Sequence, residues 1–104
     1  PCFIKINLNN DIPIKYLNSS AKNIKNKKKV KYFKKYINNY KTLQINKDLV
    51  AAIITPDIDI IPDANTHTPA YLVFSNYEKI LNWNRSLRFA LAVCTLKNNF
   101  KNEI

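Results

Sequence analysis

The chain has 104 residues, an apolar fraction of 46%, a formal net charge of +10 and no glycine. These values predict a single folded domain over residues 1–104 with a modest core, and they exclude a disordered tail. No apolar run approaches the roughly 20 residues that span a bilayer, so the sequence also excludes a transmembrane helix within these residues.

The net positive charge is confined to the first half of the chain. Residues 1–50 carry twelve Lys against two Asp, whereas residues 51–104 carry five basic and five acidic residues. Nine of the Lys fall between Lys22 and Lys41, where no acidic residue occurs. Such a segment favours an anionic partner, which would be nucleic acid, an acidic membrane surface or an anionic cell wall.

The first predicted element is a half-buried strand over Cys2–Leu8, where apolar and polar residues alternate. The next is an amphipathic helix of about ten residues, because Val30, Phe33, Ile37 and Tyr40 form one apolar stripe at helical spacing. Its outer surface is basic. We name this surface the lysine face, and it consists of Lys27, Lys28, Lys29, Lys31, Lys34 and Lys35. Two interpretations of it are open: a solvated helix surface, or a site for an anionic partner.

Two more strands are predicted over Leu49–Ile54 and Ala70–Phe74, with an exposed, proline-bounded loop between them. Two acids of this loop could in principle flank a sugar, but Asp residues in loops usually supply turns and solubility, so a paired-carboxylate site is not expected. Its single His67 has no neighbouring His or Cys at ligand spacing, so no metal site and no cofactor are expected. The loop acids are Asp57, Asp59 and Asp63.

A helical pair is predicted at the C-terminus. Ser75 and Glu78 have the S-x-x-E spacing of a capping box, which assigns Glu78 a structural role at the start of the first helix. Ser86 is predicted to cap a second, nearly all-apolar helix from Leu87 to about Asn98, which must pack on several sides. The elements together predict an α+β fold: a small antiparallel sheet of about three strands, a basic amphipathic helix and a C-terminal helical pair.

Two features concern single residue types. Because glycine is absent, any turn with positive φ must use Asn or Asp, and sixteen Asn are available. Cys2 and Cys94 are either two buried thiols or, in an exported protein, one disulfide.

The segment from Pro69 to Leu96, PAYLVFSNYEKILNWNRSLRFALAVCTL, carries a family resemblance. It resembles the end of the catalytic domain of lytic murein transglycosylases of the membrane-bound B type. That family has a PAFLV-like strand followed by N-[FY]-x-x-I-x-x-[WY]-N-x-S-x-x-[YF]-A-x-A-V-x-x-L. Upstream, PCFIKINLNND and VAAIITPD are similar to two strands of the same family and occur in the same order.

The resemblance implies an ancestry in peptidoglycan cleavage. The family breaks the β-1,4 bond between N-acetylmuramic acid and N-acetylglucosamine, with one glutamate acting first as acid and then as base. That glutamate lies in an earlier V-E-[ST]-type motif, which is missing from this sequence, so no catalytic residue is assigned. We therefore expect a truncated relative, non-catalytic alone, which acts as an exported (periplasmic or secreted) accessory or effector protein. A separate chain supplying the glutamate is a further possibility.

The resemblance also implies binding residues. In the family the [WY]-N-x-S turn lines the saccharide groove, which points to Trp83, Asn84 and Ser86, while Phe89 replaces a frequent Tyr. The alternative is that Trp83 seals the corner between the two helices while Asn84 and Ser86 cap it.

Two interactions are expected. In the family this segment packs against the helical domain that carries the glutamate, so the resemblance implies that apolar surface around Trp83 and Phe89 is exposed in this chain. Such an exposed surface predicts self-association or a protein partner. The competing hypothesis for the whole chain is a basic interaction module that binds nucleic acid, an anionic membrane or a host protein through the Lys22–Lys41 segment.

Overall fold

Five strands, three 3-10 helices and two α-helices make up the described part of the chain. The computed structural model describes residues 2–19, 24–56, 69–83 and 86–103, with side chains described up to residue 96. The strands are β1 (Phe3–Ile6), β2 (Leu17–Asn18), β3 (Lys28–Lys29), β4 (Val50–Ile54) and β5 (Ala70–Val73). The 3-10 helices are Ile14–Tyr16, Val30–Tyr36 and Tyr40–Thr42, and the α-helices are α1 (Ser75–Trp83) and α2 (Leu87–Glu103). None of the helices in these ranges is long and apolar enough to cross a membrane.

The sheet is mixed, with strand order β1-β5-β4-β2, and β3 also pairs with β4. The β1–β5, β4–β5 and β3–β4 pairs are antiparallel, whereas β2 lies parallel to β4. The three predicted strands are confirmed as β1, β4 and β5. The prediction of about three antiparallel strands was wrong in number and in direction, because β2 and β3 have two residues each and no such short segment shows a period.

The sheet is covered on both faces, which divides the core into two clusters. Along β4, Ala51 and Ile53 face one cluster, whereas Ala52 and Ile54 face the other. The first cluster is completed by the 3-10 helix Val30–Tyr36, and the second by α1 and α2. Burial on both faces explains why β4 is a continuous apolar run rather than an alternating one.

The predicted ten-residue amphipathic α-helix is instead the seven-residue 3-10 helix Val30–Tyr36. Val30 and Phe33 are fully buried, as their positions on the predicted stripe require. In a 3-10 helix residues three apart lie above one another, so both fall on one side. The helix ends because Ile37 returns to an extended conformation and pairs with Leu8.

The C-terminal helical pair is confirmed, with different capping of its first helix. The predicted capping box of Ser75 and Glu78 is wrong, because α1 already begins at Ser75 and the Glu78 N–H donates to the carbonyl oxygen of Phe74 at 3.4 Å. The Glu78 carboxylate contacts the Lys27 ammonium at 2.6 Å. The Ser86 cap of α2 is confirmed, because its Oγ accepts the Phe89 N–H at 3.2 Å.

Two further features concern the pair of cysteines and the backbone conformation of Asn26. A disulfide joins Cys2, just before β1, to Cys94 of α2, with their Cα atoms 6.0 Å apart. This distance is ordinary for a disulfide and decides between the two interpretations of the cysteines. Asn26 has φ of 59°, which confirms that Asn takes the left-handed conformation that glycine would otherwise supply.

Removing the disulfide is expected to lower the free energy of unfolding by about 2–4 kcal/mol, because the bond closes a loop of nearly the whole chain. The measurement is urea denaturation of the Cys2→Ser/Cys94→Ser double variant beside the oxidised protein. Equal midpoints and slopes for the two proteins would contradict this prediction.

Candidate functional site

An open groove of about 380 Å³ lies between α1 and α2. We call it the helical groove. Its lining residues are Asn76, Lys79, Ile80 and Trp83 from α1, and Phe89 and Val93 from α2. These positions are three or four residues apart along each helix, so each set lies on one side of its helix. The groove is therefore a product of helical spacing, and its surface is largely apolar.

Trp83 is the most exposed large apolar residue of the described chain, with 93% of its surface accessible. Phe89, opposite it on α2, is 44% exposed. The alternative in which Trp83 seals the corner between the helices is therefore wrong. The prediction that α2 packs on several sides is also wrong for the described residues, because Leu96 is 58% exposed as well. Trp83, Phe89 and Leu96 thus form an outward-facing apolar strip, which agrees with the expected exposure around Trp83 and Phe89.

The predicted site residues fall into three groups. Trp83 and Phe89 line the helical groove together. Ser86 lies directly before α2 and caps it, as the alternative interpretation proposed. Asn84 lies outside the described residues. Sequence reasoning missed four groove residues, although their helical spacing from Trp83 and Phe89 was a sufficient signal: Asn76, Lys79, Ile80 and Val93.

Tyr77 fixes the relative position of the two helices beneath the groove. Its side chain is fully buried, and its hydroxyl donates to the carbonyl oxygen of Leu87, the first residue of α2, at 2.9 Å. Burial raises the pKa of Tyr77 well above its ordinary value, so the hydroxyl stays protonated and remains a donor.

No carboxyl group lines the helical groove among the residues that the structure describes. Glu78 pairs with Lys27, and Asp48 pairs with Lys31 at 2.9 Å. The hydrogen bond and charge of Lys31 lower the pKa of Asp48, which therefore holds its proton less readily than an ordinary Asp. The described ranges contain no group of three or more His, Cys, Asp or Glu side chains placed to hold a metal. Asp57, Asp59, Asp63 and His67 lie outside those ranges.

The 3-10 helix that carries part of the lysine face lies on the other side of the sheet from the helical groove, whereas Lys27 reaches α1 through its ion pair with Glu78. The six lysines of the lysine face are exposed, and two of them are balanced by acids: Lys27 by Glu78 and Lys31 by Asp48. Beside this face, Tyr16 and Tyr32 share a hydrogen bond of 2.8 Å between their hydroxyls. The structure thus separates the two predicted surfaces rather than joining them into one site.

The comparisons with known proteins agree with the sequence resemblance at the level of a family. The profile of the Transglycosylase SLT domain matches residues 5–98. No curated protein and no solved structure gives a significant match. The matched range contains every described residue of the helical groove and of the lysine face.

Replacing Tyr77 by Phe is expected to lower the free energy of unfolding by about 1 kcal/mol, because one buried hydrogen bond is lost at nearly constant volume. The variant should also lose part of the wild-type pH dependence. In the unfolded chain Tyr77 ionises near pH 10, whereas burial holds it protonated in the fold, so stability falls as pH rises above about 10. Tyr71→Phe, in the same core cluster, is the control. Equal effects of the two variants on stability and on its alkaline slope would contradict the role of Tyr77.

Proposed function

This chain belongs to the transglycosylase SLT family, and we propose that it binds the glycan strands of peptidoglycan in the helical groove. The observation that carries this proposal is the almost complete exposure of Trp83 beside Phe89 in a concave site. In this family the ligand class is peptidoglycan, so a sugar chain is the partner that best explains an outward-facing indole.

The chemistry of the groove suits a sugar chain. An indole or phenyl ring presents a flat apolar surface to the C–H faces of a pyranose ring, and both rings lose water-exposed area on contact. Asn76 at the groove offers an amide that both donates and accepts, which matches the N-acetyl groups and hydroxyls of the glycan. Lys79 adds a cation that can meet the carboxylate of a muramyl stem. The groove combines a large apolar area with few polar groups, as ligand sites commonly do.

The proposed role of this chain alone is binding rather than cleavage. The family resemblance locates the acid in a motif that this sequence lacks, and the chemistry needs a protonated carboxyl in a dry groove. Glu78 does not meet that need, because its carboxylate is held by the Lys27 ammonium at 2.6 Å. The acid would then come from residues beyond this sequence or from another chain. We also propose that the chain is related to the membrane-bound B type, because its Pro69–Leu96 segment resembles the corresponding segment of that type.

The compartment follows from the proposed ligand. Peptidoglycan lies outside the cytoplasm, and a disulfide such as Cys2–Cys94 forms and persists in oxidising compartments. We therefore place the protein in the periplasm or outside the cell. A second copy or a protein partner seated on the same apolar strip is the competing occupant of the helical groove.

Trp83→Ala is expected to weaken retention on purified peptidoglycan by at least about tenfold, which corresponds to about 1.4 kcal/mol. The measurement is a pull-down on peptidoglycan stripped of attached anionic polymers, with muropeptide release followed in the same samples. Ile14→Ala is the control, since Ile14 is 76% exposed and lies outside the groove. It should bind like the wild type.

Three outcomes would contradict the proposal. Equal retention of Trp83→Ala and wild type would remove the groove as the glycan site. Release of anhydro-muropeptides by the chain alone would refute the binding-only role. A concentration-dependent dimer that Trp83→Ala abolishes, with no retention on peptidoglycan, would assign the groove to self-association.

A further inference from the structure

The 3-10 helix Val30–Tyr36, which carries part of the lysine face, lies apart from the helical groove. Val30 and Phe33 anchor the 3-10 helix Val30–Tyr36 in the core cluster on one face of the sheet, whereas α1 and α2 cover the other face. A ligand in the helical groove therefore leaves the outer side of the 3-10 helix accessible. This surface is available for a second partner.

The charge of this surface is only partly balanced within the chain. Residues 24–41 contain eight Lys and no acid. Lys27 and Lys31 pair with Glu78 and Asp48. Among the described residues no carboxylate lies within ion-pair distance of the remaining exposed lysines around the 3-10 helix. Those lysines are Lys28, Lys29, Lys34 and Lys35, and Lys15 lies beside them.

Two of these lysines are held around a pair of tyrosines. The Lys15 ammonium lies 5.2 Å from the centre of the Tyr16 ring, and the Lys28 ammonium lies 5.3 Å from that of Tyr32. The Tyr16 and Tyr32 hydroxyls are hydrogen-bonded at 2.8 Å, and both rings meet the buried Phe33 edge-on. The hydrogen bond with Tyr16 is the main reason why the pKa of Tyr32 is raised, while the charges of Lys28 and Lys15 lower it. Two cations from different segments thus converge on one anchored aromatic pair.

The arrangement fits a linear polyanion better than a single anion. From Lys28 to Lys35 the chain advances roughly 15 Å through β3 and the 3-10 helix, at the usual rise of each element. A chain with repeating negative groups would meet several lysines over that length. We propose that Lys15, Lys28, Lys29, Lys34 and Lys35 form a binding site for a linear anionic polysaccharide of the cell envelope, whose repeating unit bears a phosphate or a carboxylate.

Two other polyanionic partners fit less well. Single-stranded nucleic acid is bound largely by stacking on aromatic rings, but the Tyr32 ring is engaged by Lys28 and, edge-on, by Tyr16 and Phe33. A membrane surface needs an amphipathic helix with a free apolar side, whereas Val30 and Phe33 are fully buried in the core. The disulfide also favours a compartment where anionic envelope polysaccharides, rather than nucleic acids, are abundant.

The test is a binding titration at about 50 mM salt with three probes: a phosphomannan, polygalacturonate and a single-stranded oligonucleotide of matched charge. We expect binding to at least one polysaccharide with an affinity that falls steeply as salt rises. The preferred probe identifies the anion as phosphate or carboxylate. Lys15→Gln/Lys28→Gln should weaken that binding by at least about tenfold.

The control is Lys5→Gln/Arg88→Gln, which removes the same charge from exposed positions outside both proposed sites, and it should weaken binding by less than about threefold. Equal weakening by both double variants would mean that binding depends only on the net charge of the protein, and it would overturn the site. Failure to bind either polysaccharide, or tighter binding of the oligonucleotide, would overturn the assigned partner. Trp83→Ala should leave this binding unchanged, so the outcome does not depend on the helical groove.

Discussion

The burial of β4 on both faces is the constraint on which the rest of the structure depends. A strand that is apolar on each side must be covered twice, and this chain has only 104 residues with which to do so. The helical pair covers one face, and the 3-10 helix with its flanking turns covers the other. Each cover then has an outer side of its own. One is apolar and concave around Trp83, and the other is basic around Tyr32, so two unlike surfaces arise from one packing requirement.

The buried side chain of Asn18 shows how the basic cover is attached to the sheet. Its amide nitrogen donates to the carbonyl oxygens of Ile53 at 2.9 Å and Lys25 at 3.1 Å, and its Oδ1 accepts the Lys25 N–H at 2.9 Å. One side chain therefore ties β2, β4 and the segment that leads to the lysine face. Because these polar groups are buried, breaking any one bond would leave an unpaired group, and the network specifies a single arrangement. The disulfide does the same for the other cover by joining the start of β1 to α2.

The sequence was informative wherever an element is long enough to show a period. β1, β4, β5 and the two α-helices follow from alternation, apolar runs and helical spacing, and Trp83 with Phe89 was found through a family motif. The short pairings of β2 and β3 could not be predicted, because they result from tertiary contacts such as those of Asn18. The spacing of Val30 and Phe33 fits an α-helix as well as a 3-10 helix, so the pattern alone predicts an α-helix where a 3-10 helix forms. Glu78 was assigned to a cap since its partner Lys27 is 51 residues away in sequence, beyond any local pattern.

The fluorescence of Trp83 tests the glycan-binding groove most directly, because it is the only Trp of the chain and is 93% exposed. Titration with soluble, uncross-linked glycan strands from peptidoglycan should give a saturable blue shift of its emission, as the indole leaves water for the face of a sugar ring. The anionic polysaccharide that the lysine-rich site prefers should bind without that shift, since its proposed site lies across the sheet. An emission spectrum unchanged at saturating glycan, in a chain that a pull-down shows to be retained on peptidoglycan, would contradict the account.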